Sequence, residues 1–245
     1  MPTPLAPDLA SVASVVRARR TARRAAASGA DGAFLVTIDG AVSVGKSTTA
    51  ALLGDLLEVP PEALDVRIVS TDGFLFPNRV LEARGLLMRK GFPESYDHDA
   101  LDSFVHAARD GATELRVPVY SHETYDVLDD DEVFPPPEVL VLEGLHTGRL
   151  AGTGAVDLSV YVDADVDDVE RWYVERFVEL SASPVGFYAS FASWSVDRLE
   201  AFARGVWESI NEPNVVDHVL PNRDRVDVVI TKGPDHAVTA VTLRD

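Results

Sequence analysis

The segment Gly40-Ala41-Val42-Ser43-Val44-Gly45-Lys46-Ser47 constrains this chain more than any other, because it fits G-x-x-x-x-G-K-[ST] and has the flanks that pattern requires. Ahead of it, Ala33 to Ile38 is apolar and partly β-branched, which predicts a buried strand; behind it, Ser47 to Leu57 has a helical pattern. Strand, glycine loop and helix in that order let backbone N–H groups and the positive end of a helix converge on an anion. Lys46 supplies a point charge for the outer phosphates of a nucleoside triphosphate and Ser47 a hydroxyl for Mg2+, with Thr48 completing the cradle. A Gly-rich turn arising by chance is the competing reading, and it has no reason to fall between a strand and a helix.

Further short apolar runs at Val66 to Val69, Val139 to Leu142 and Leu158 to Val162 predict strands. Helical patterns cover Val166 to Glu179 and Val196 to Ile210, and terminal strands are expected near Val226 to Ile230 and Ala237 to Leu243. Together they predict an α/β fold, a mainly parallel sheet flanked by helices on both faces, of the P-loop nucleoside triphosphate hydrolase and kinase type. A chain of 245 residues suits a single domain over residues 1–245. Between Ser11 and Ser28, Val12, Val15, Val16 and Ala22 can share one helix face, with Arg17, Arg20 and Arg24 on the other; a transit peptide is the rival reading, but nothing resembles a cleavage site. Phe76 to Asp97 holds two Pro, two Gly and several cations, which suits either a lid-like cover or a plain surface loop. Pro135-Pro136-Pro137 reads as a stiff approach to the strand that follows.

A formal charge of -18 argues against nucleic acid as a partner, since phosphate-backbone binding relies on Lys and Arg. An anionic substrate then needs a local cationic pocket. No apolar run approaches the roughly 18 residues of a membrane span, so no membrane partner is expected. The chain has no cysteine, which excludes disulfides and thiolate metal sites and makes a cytoplasmic location the default.

The glycine loop does not by itself separate kinases, GTPases and motors. No Asn-Lys-x-Asp sequence is present to read guanine. Val139-Leu140-Val141-Leu142-Glu143 resembles the apolar strand and acidic residue that position Mg2+ in P-loop proteins, and an ordinary strand-end carboxylate is the competing reading of Glu143. Asp72, in Ser70-Thr71-Asp72-Gly73-Phe74, should emerge at the carboxyl edge of the sheet, where it can accept a proton from an attacking alcohol; an Asp-Gly turn present for shape alone remains open.

The neighbours of Asp72 carry a more specific signal. Thr71 to Tyr96 reads TDGFLFPNRVLEARGLLMRKGFPESY, and Tyr120-Ser121-His122-Glu123-Thr124-Tyr125 and Trp172-Tyr173-Val174-Glu175-Arg176-Phe177 follow in order. With Ile210-Asn211 to Asn214, Leu220-Pro221 to Arg223 and Thr231-Lys232 to Val238, the chain from about Val36 to Arg244 resembles the prokaryotic type I pantothenate kinases, relatives of uridine kinase and phosphoribulokinase.

That resemblance implies ATP-dependent phosphorylation of the primary hydroxyl of pantothenate, a homodimer, and Mg2+ as the companion ion. It implies that Lys46 and Ser47 handle phosphate and metal, that Asp72 is the base, and that Arg176 lies near the transferring group. Tyr120, His122, Tyr125, Tyr173, Arg176 and Asn214 would line the acceptor pocket, and Lys232 and His236 would flank adenine. A pocket of Tyr, His, Asn and Arg matches the carboxylate, amide and hydroxyls of pantothenate. The chain departs from the family at His146-Thr147-Gly148, where Asn-Val-Leu is common, at Leu180 and Tyr188, where aromatic acceptor contacts are usual, and in having only Met1 to Asp39 before the glycine loop. Two other readings stay open: a kinase of the same build acting on another small hydroxyl-bearing metabolite, and a nucleotide-binding regulator without catalysis.

Overall fold

The computed structural model describes residues 3–26, 32–182 and 185–244. The chain runs β1 (Thr3–Leu5), α1 (Leu9–Ala26), β2 (Phe34–Gly40), α2 (Lys46–Leu57), β3 (Val66–Ser70), α3 (Asn78–Ala83), α4 (His98–Arg109), β4 (Leu115–Ser121), β5 (Asp126–Phe134), β6 (Val139–Glu143), β7 (Leu158–Asp163), α5 (Val166–Ser181), α6 (Val196–Val206), β8 (Val228–Lys232) and β9 (Val238–Leu243). The main sheet has the order β1-β9-β8-β7-β2-β6-β3. Its pairs from β8 across to β3 are parallel, and β9 and β1 extend one edge in antiparallel fashion.

The central strand explains the predicted class. Along β2, Phe34, Val36 and Ile38 enter one apolar layer with α1, α2 and Trp172, while Leu35 enters a second layer with α4. A strand covered on both faces needs no polar alternation, so it reads in sequence as an uninterrupted apolar run. The helices start where their caps allow. Asp97 accepts from Ala100 N at the head of α4, and Asp165 accepts from Asp167 N at the head of α5, whose first turn also carries Asp167 and Asp168 against the positive helix end.

Several expectations are corrected. On α1, Val12, Ala13 and Val16 are buried but Ala22 is exposed. The arginine face is not simply solvated: Arg17 donates to the Leu56 and Leu57 carbonyls at 2.9 and 3.2 Å, satisfying the C-terminal end of α2, and Arg20 pairs with Glu138. Residues 27 and 28 of that predicted stretch lie outside the described residues. The helix expected over Val196 to Ile210 ends at Val206 and continues in wider turns over Trp207–Asn211 and Val215–Val219, with Pro213 between them lacking the N–H an α-helical bond needs. The antiparallel hairpin of β4 and β5 was not foreseen, because Pro118 interrupts β4 at a register shift and β5 carries Asp129, Asp130, Asp131 and Glu132 on its exposed stretch. Phe76 to Asp97 carries α3, short helical turns at Leu87–Arg89 and Pro93–Ser95, and a clasp at its base, where Phe76 N donates to Ser95 O and Asp97 N to Phe74 O. Among the described residues, no helix is long and apolar enough to cross a membrane.

Candidate active site

Sheet register assembles the site. Ile38 of β2 is level with Glu143 of β6, which is level with Ser70 of β3. The glycine loop, the Glu143 carboxylate and the Thr71–Phe74 turn therefore leave the sheet side by side at its carboxyl edge. Gly40 has φ of 144°, and a Cβ there would stand 2.5 Å from the Val162 carbonyl, so only glycine allows the chain to turn so close to β7. Gly45, at φ of 88°, opens α2. Lys46 Nζ folds over the loop and donates to Gly40 O at 3.0 Å and Ala41 O at 2.9 Å.

The charges around Lys46 tie the parts together. Burial pulls its pKa down, Glu143, Asp39 and Asp72 push it back up, and Arg176 lowers it again. One ammonium thus feels the loop, two strand ends, the Asp72 turn and α5. Burial raises the Glu143 carboxyl; Lys46 and the Ser47 and Ser70 hydroxyls beside it act in the opposite direction, and Asp72 adds to the rise. Ser47 and Glu143 offer hard oxygen donors of the kind Mg2+ prefers, and a single carboxylate and hydroxyl suit an ion completed by nucleotide phosphates and water. That donor set fits Mg2+; among the described residues, no group of three or more His, Cys, Asp or Glu could hold a metal ion.

The Asp72 turn is held by steric fit. Its N–H reaches Ser70 Oγ at 3.3 Å, a Cβ on Gly73 would strike the Pro118 carbonyl at 2.1 Å, and a Cβ on Gly144 would strike Thr71 Oγ1 at 1.8 Å. The Tyr96 hydroxyl is 3.5 Å from Asp72 Oδ1. Facing this carboxylate is an aromatic wall from the hairpin, in which Tyr120 packs against His122 and Tyr125 with centroids 5.2 and 6.2 Å apart. Burial raises the Tyr120 and Tyr125 hydroxyls, and both feel Asp72 and Tyr188; Tyr125 also feels Tyr173 of α5. Arg176 of α5 is exposed and acts electrostatically on both Lys46 and Tyr188. Asn214 is buried, with Nδ2 donating to Gly91 O at 2.8 Å and Oδ1 without a partner among the described residues.

Residues 35–176 match the phosphoribulokinase / uridine kinase family. A protein of Sorangium cellulosum (strain So ce56) named pantothenate kinase is 45% identical over 223 residues, covering 86% of this chain and 72% of the relative. This chain belongs to the pantothenate kinase family. A Streptomyces coelicolor pantothenate kinase is 44% identical over 227 residues, with 86% and 69% covered. Among solved structures, a D-glycerate 3-kinase from Cryptococcus neoformans superposes with a TM-score of 0.70 at 13% identity, over 95% of this chain and 98% of that one, which is a likeness of fold.

In this pantothenate kinase family member, Glu143, Asp72 and Arg176 share the electrostatic surroundings of Lys46, Tyr120 and Tyr125 share those of Asp72, His122 lies beside Tyr120 and Tyr173 acts on Tyr125, whereas Asn214 bonds Gly91 O. The two expected at adenine lie together beside the glycine loop. Lys232 Nζ donates to Val44 O at 3.0 Å and braces the glycine loop, and His236, which feels Lys232, stacks on Trp172 at 3.8 Å. Sequence reasoning missed three residues. Asp39, fully buried just ahead of the loop, accepts from Gly40 N, His146 N, Gly148 N and Asn222 Nδ2. Lys90 reaches from the Phe76 to Asp97 segment to Asn78 Oδ1 and Tyr125 O, and its Nζ stands 5.0 and 4.5 Å from the Tyr120 and Tyr125 rings. His146 is the third. A signal for Lys90 existed in the cationic content of its segment, and one for His146 in the departure from the family at His146-Thr147-Gly148; Asp39 gave none beyond its position next to a motif.

Proposed function

We propose that this chain transfers the γ-phosphoryl group of ATP to the primary hydroxyl of pantothenate, the first step of coenzyme A biosynthesis, as a single-domain enzyme that works as a homodimer in the cytoplasm. The observation that carries this reading is the shared electrostatic neighbourhood of Lys46 and Asp72 beside a wall of Tyr, Lys and Arg side chains.

In this reading the loop from Gly40 to Ser47 wraps the phosphates with backbone N–H groups, Lys46 moves from its own loop carbonyls to phosphate oxygens, and Lys232 keeps the loop in shape. Ser47 and Glu143 would hold Mg2+, which would supply positive charge to offset that of the phosphate oxygens. Asp72 accepts the proton of the acceptor hydroxyl as that oxygen attacks, and Arg176 offers its fixed fork of donors to the charge on the transferred group. Tyr120, His122, Tyr125, Tyr173 and the free Oδ1 of Asn214 orient the acceptor's amide, hydroxyls and carboxylate. The segment from Phe76 to Asp97 covers the reacting groups, and His236 with Trp172 borders the adenine.

The test is a coupled assay of ATP turnover across pantothenate, pantetheine, uridine and sugars, run with wild type, Lys46→Ala and Asp72→Asn. Turnover highest with pantothenate and abolished in both folded variants is expected. A preference for another acceptor overturns the substrate, full activity of either variant removes that residue from the mechanism, and no phosphate transfer by the wild type favours a regulator.

A further inference from the structure

Two side chains from distant parts of the chain converge on one backbone oxygen. His146 Nε2 and Asn214 Nδ2 each lie 2.8 Å from Gly91 O. A carbonyl oxygen only accepts, so the imidazole carries a proton on Nε2. Burial pulls the pKa of His146 down to about 4, and the ring is neutral near pH 7. The ring is aimed from a fixed peg: His146 has φ of 65°, and its own N–H is held by Asp39 Oδ1 at 3.1 Å, next to the start of the glycine loop. Its aromatic neighbours, Tyr96 and His218, meet it edge-on with ring centroids 5.6 and 6.3 Å away.

What the carbonyl belongs to gives the contact its meaning. Gly91 follows Lys90, whose ammonium lies over the Tyr120 and Tyr125 rings and in the field of Asp72. Gly91 itself has φ of 95°, a left-handed backbone position directly after Lys90. Held at the base by the Phe74 and Phe76 clasp, and tied to the hairpin by Asn78 and Lys90 at Asp126 and Tyr125, the segment is anchored on its other side at Gly91.

We propose that His146 is a positioning residue: together with Asn214 it latches the Gly91 carbonyl, setting the Phe76 to Asp97 segment down over the acceptor pocket with the Lys90 ammonium turned to the reacting groups. The proposal rests on the reading of this site as a kinase centre. His146 touches neither substrate and acts through Lys90.

The test uses His146→Asn and His146→Gln in the full chain. Asn suits the left-handed backbone but places its amide where Nδ1 stands, short of Gly91, whereas the longer Gln carries its amide nitrogen to the place of Nε2. Two readouts are taken: the rate of limited tryptic cleavage between Lys90 and Gly91, and kcat and KM for acceptor and ATP. Loss of one buried hydrogen bond predicts faster cleavage in His146→Asn by about three- to tenfold, with kcat lowered by a similar factor and KM for ATP unchanged, and Gln recovering both. Wild-type protection and kcat in His146→Asn, or a Gln variant no better than Asn, overturns the latch. Should His146→Asn fail to fold, His146→Gln decides alone, and cleavage faster than wild type there overturns it. Cleavage needs no acceptor, so lost and restored protection in a protein that ignores pantothenate leaves the latch standing and sinks the substrate assignment.

Discussion

Replacing Asp39 by Asn tests how the site is held together. Its carboxylate is completely buried and surrounded by four N–H donors, two on each oxygen, at 2.8 to 3.1 Å. Burial pushes the pKa of this carboxyl up, while Gly40 N, Gly148 N, Lys46 and Asn222 pull it down. A protonated carboxyl would aim its O–H at N–H groups with no acceptor to meet it, so the donors argue for the ionised form. Asp39→Asn keeps the volume and turns one acceptor oxygen into an NH2. Asn222 can flip its amide to accept from the new NH2, giving up its 3.3 Å contact with His218 O. Gly148 N is then left unpaired in the interior, which costs about 1–3 kcal/mol. The remaining bonds become neutral ones of roughly half the strength, and removal of a buried charge returns part of the sum. The expected net loss is about 3 kcal/mol, or roughly 6–12 °C in Tm for a domain of this size. Urea unfolding should show a lower midpoint with an unchanged slope. The variant should also bind ATP less tightly, because Asp39 ties the first residue of the glycine loop to the turn at His146. A midpoint equal to wild type would refute the reasoning: Asn is close in shape to a neutral carboxylic acid, so it would mean that Asp39 is protonated in the fold.

Two further outcomes follow from the same geometry. Burial lowers the Lys90 pKa to about 8, so the side chain is cationic below that pH and neutral above it; kcat/KM for the acceptor should fall as pH rises through about 8, and Lys90→Arg should carry that limb beyond the measured range, while a limb that persists in Lys90→Arg comes from another group. Gly144→Ala would press a methyl to within 1.8 Å of Thr71 Oγ1 at a φ of 151°; it should destabilise the fold by about 2–4 kcal/mol in thermal or urea melts, with partial recovery when Thr71→Ala removes the obstructing hydroxyl, and strict additivity of the two changes would show that they do not meet.

How much of this was legible before the fold was known depends on the range of the forces involved. The glycine loop could be read directly, because its strand, its left-handed glycines and its helix start are decided by residues within a few positions of one another. β2, β6 and β7 were legible for a related reason: strands covered on both faces must be apolar throughout. Asp72 and Glu143 could be placed at the carboxyl edge once their strands were recognised, though not beside each other, since that followed from the register Ile38, Glu143, Ser70.

The hairpin, the arginine face of α1 and the three missed residues were settled only by tertiary structure. Helical periodicity told that Arg17 and Arg20 share a face, but not that the end of α2 and Glu138 lie across from it. The donors to Asp39 come from positions 40, 146, 148 and 222, and those to Gly91 from 146 and 214. A local pattern can specify the conformation of its own backbone. It carries no record of which distant groups the sheet will bring within hydrogen-bonding distance, and burial is what makes those distant partners matter, because an interior carboxylate or carbonyl has no water to fall back on.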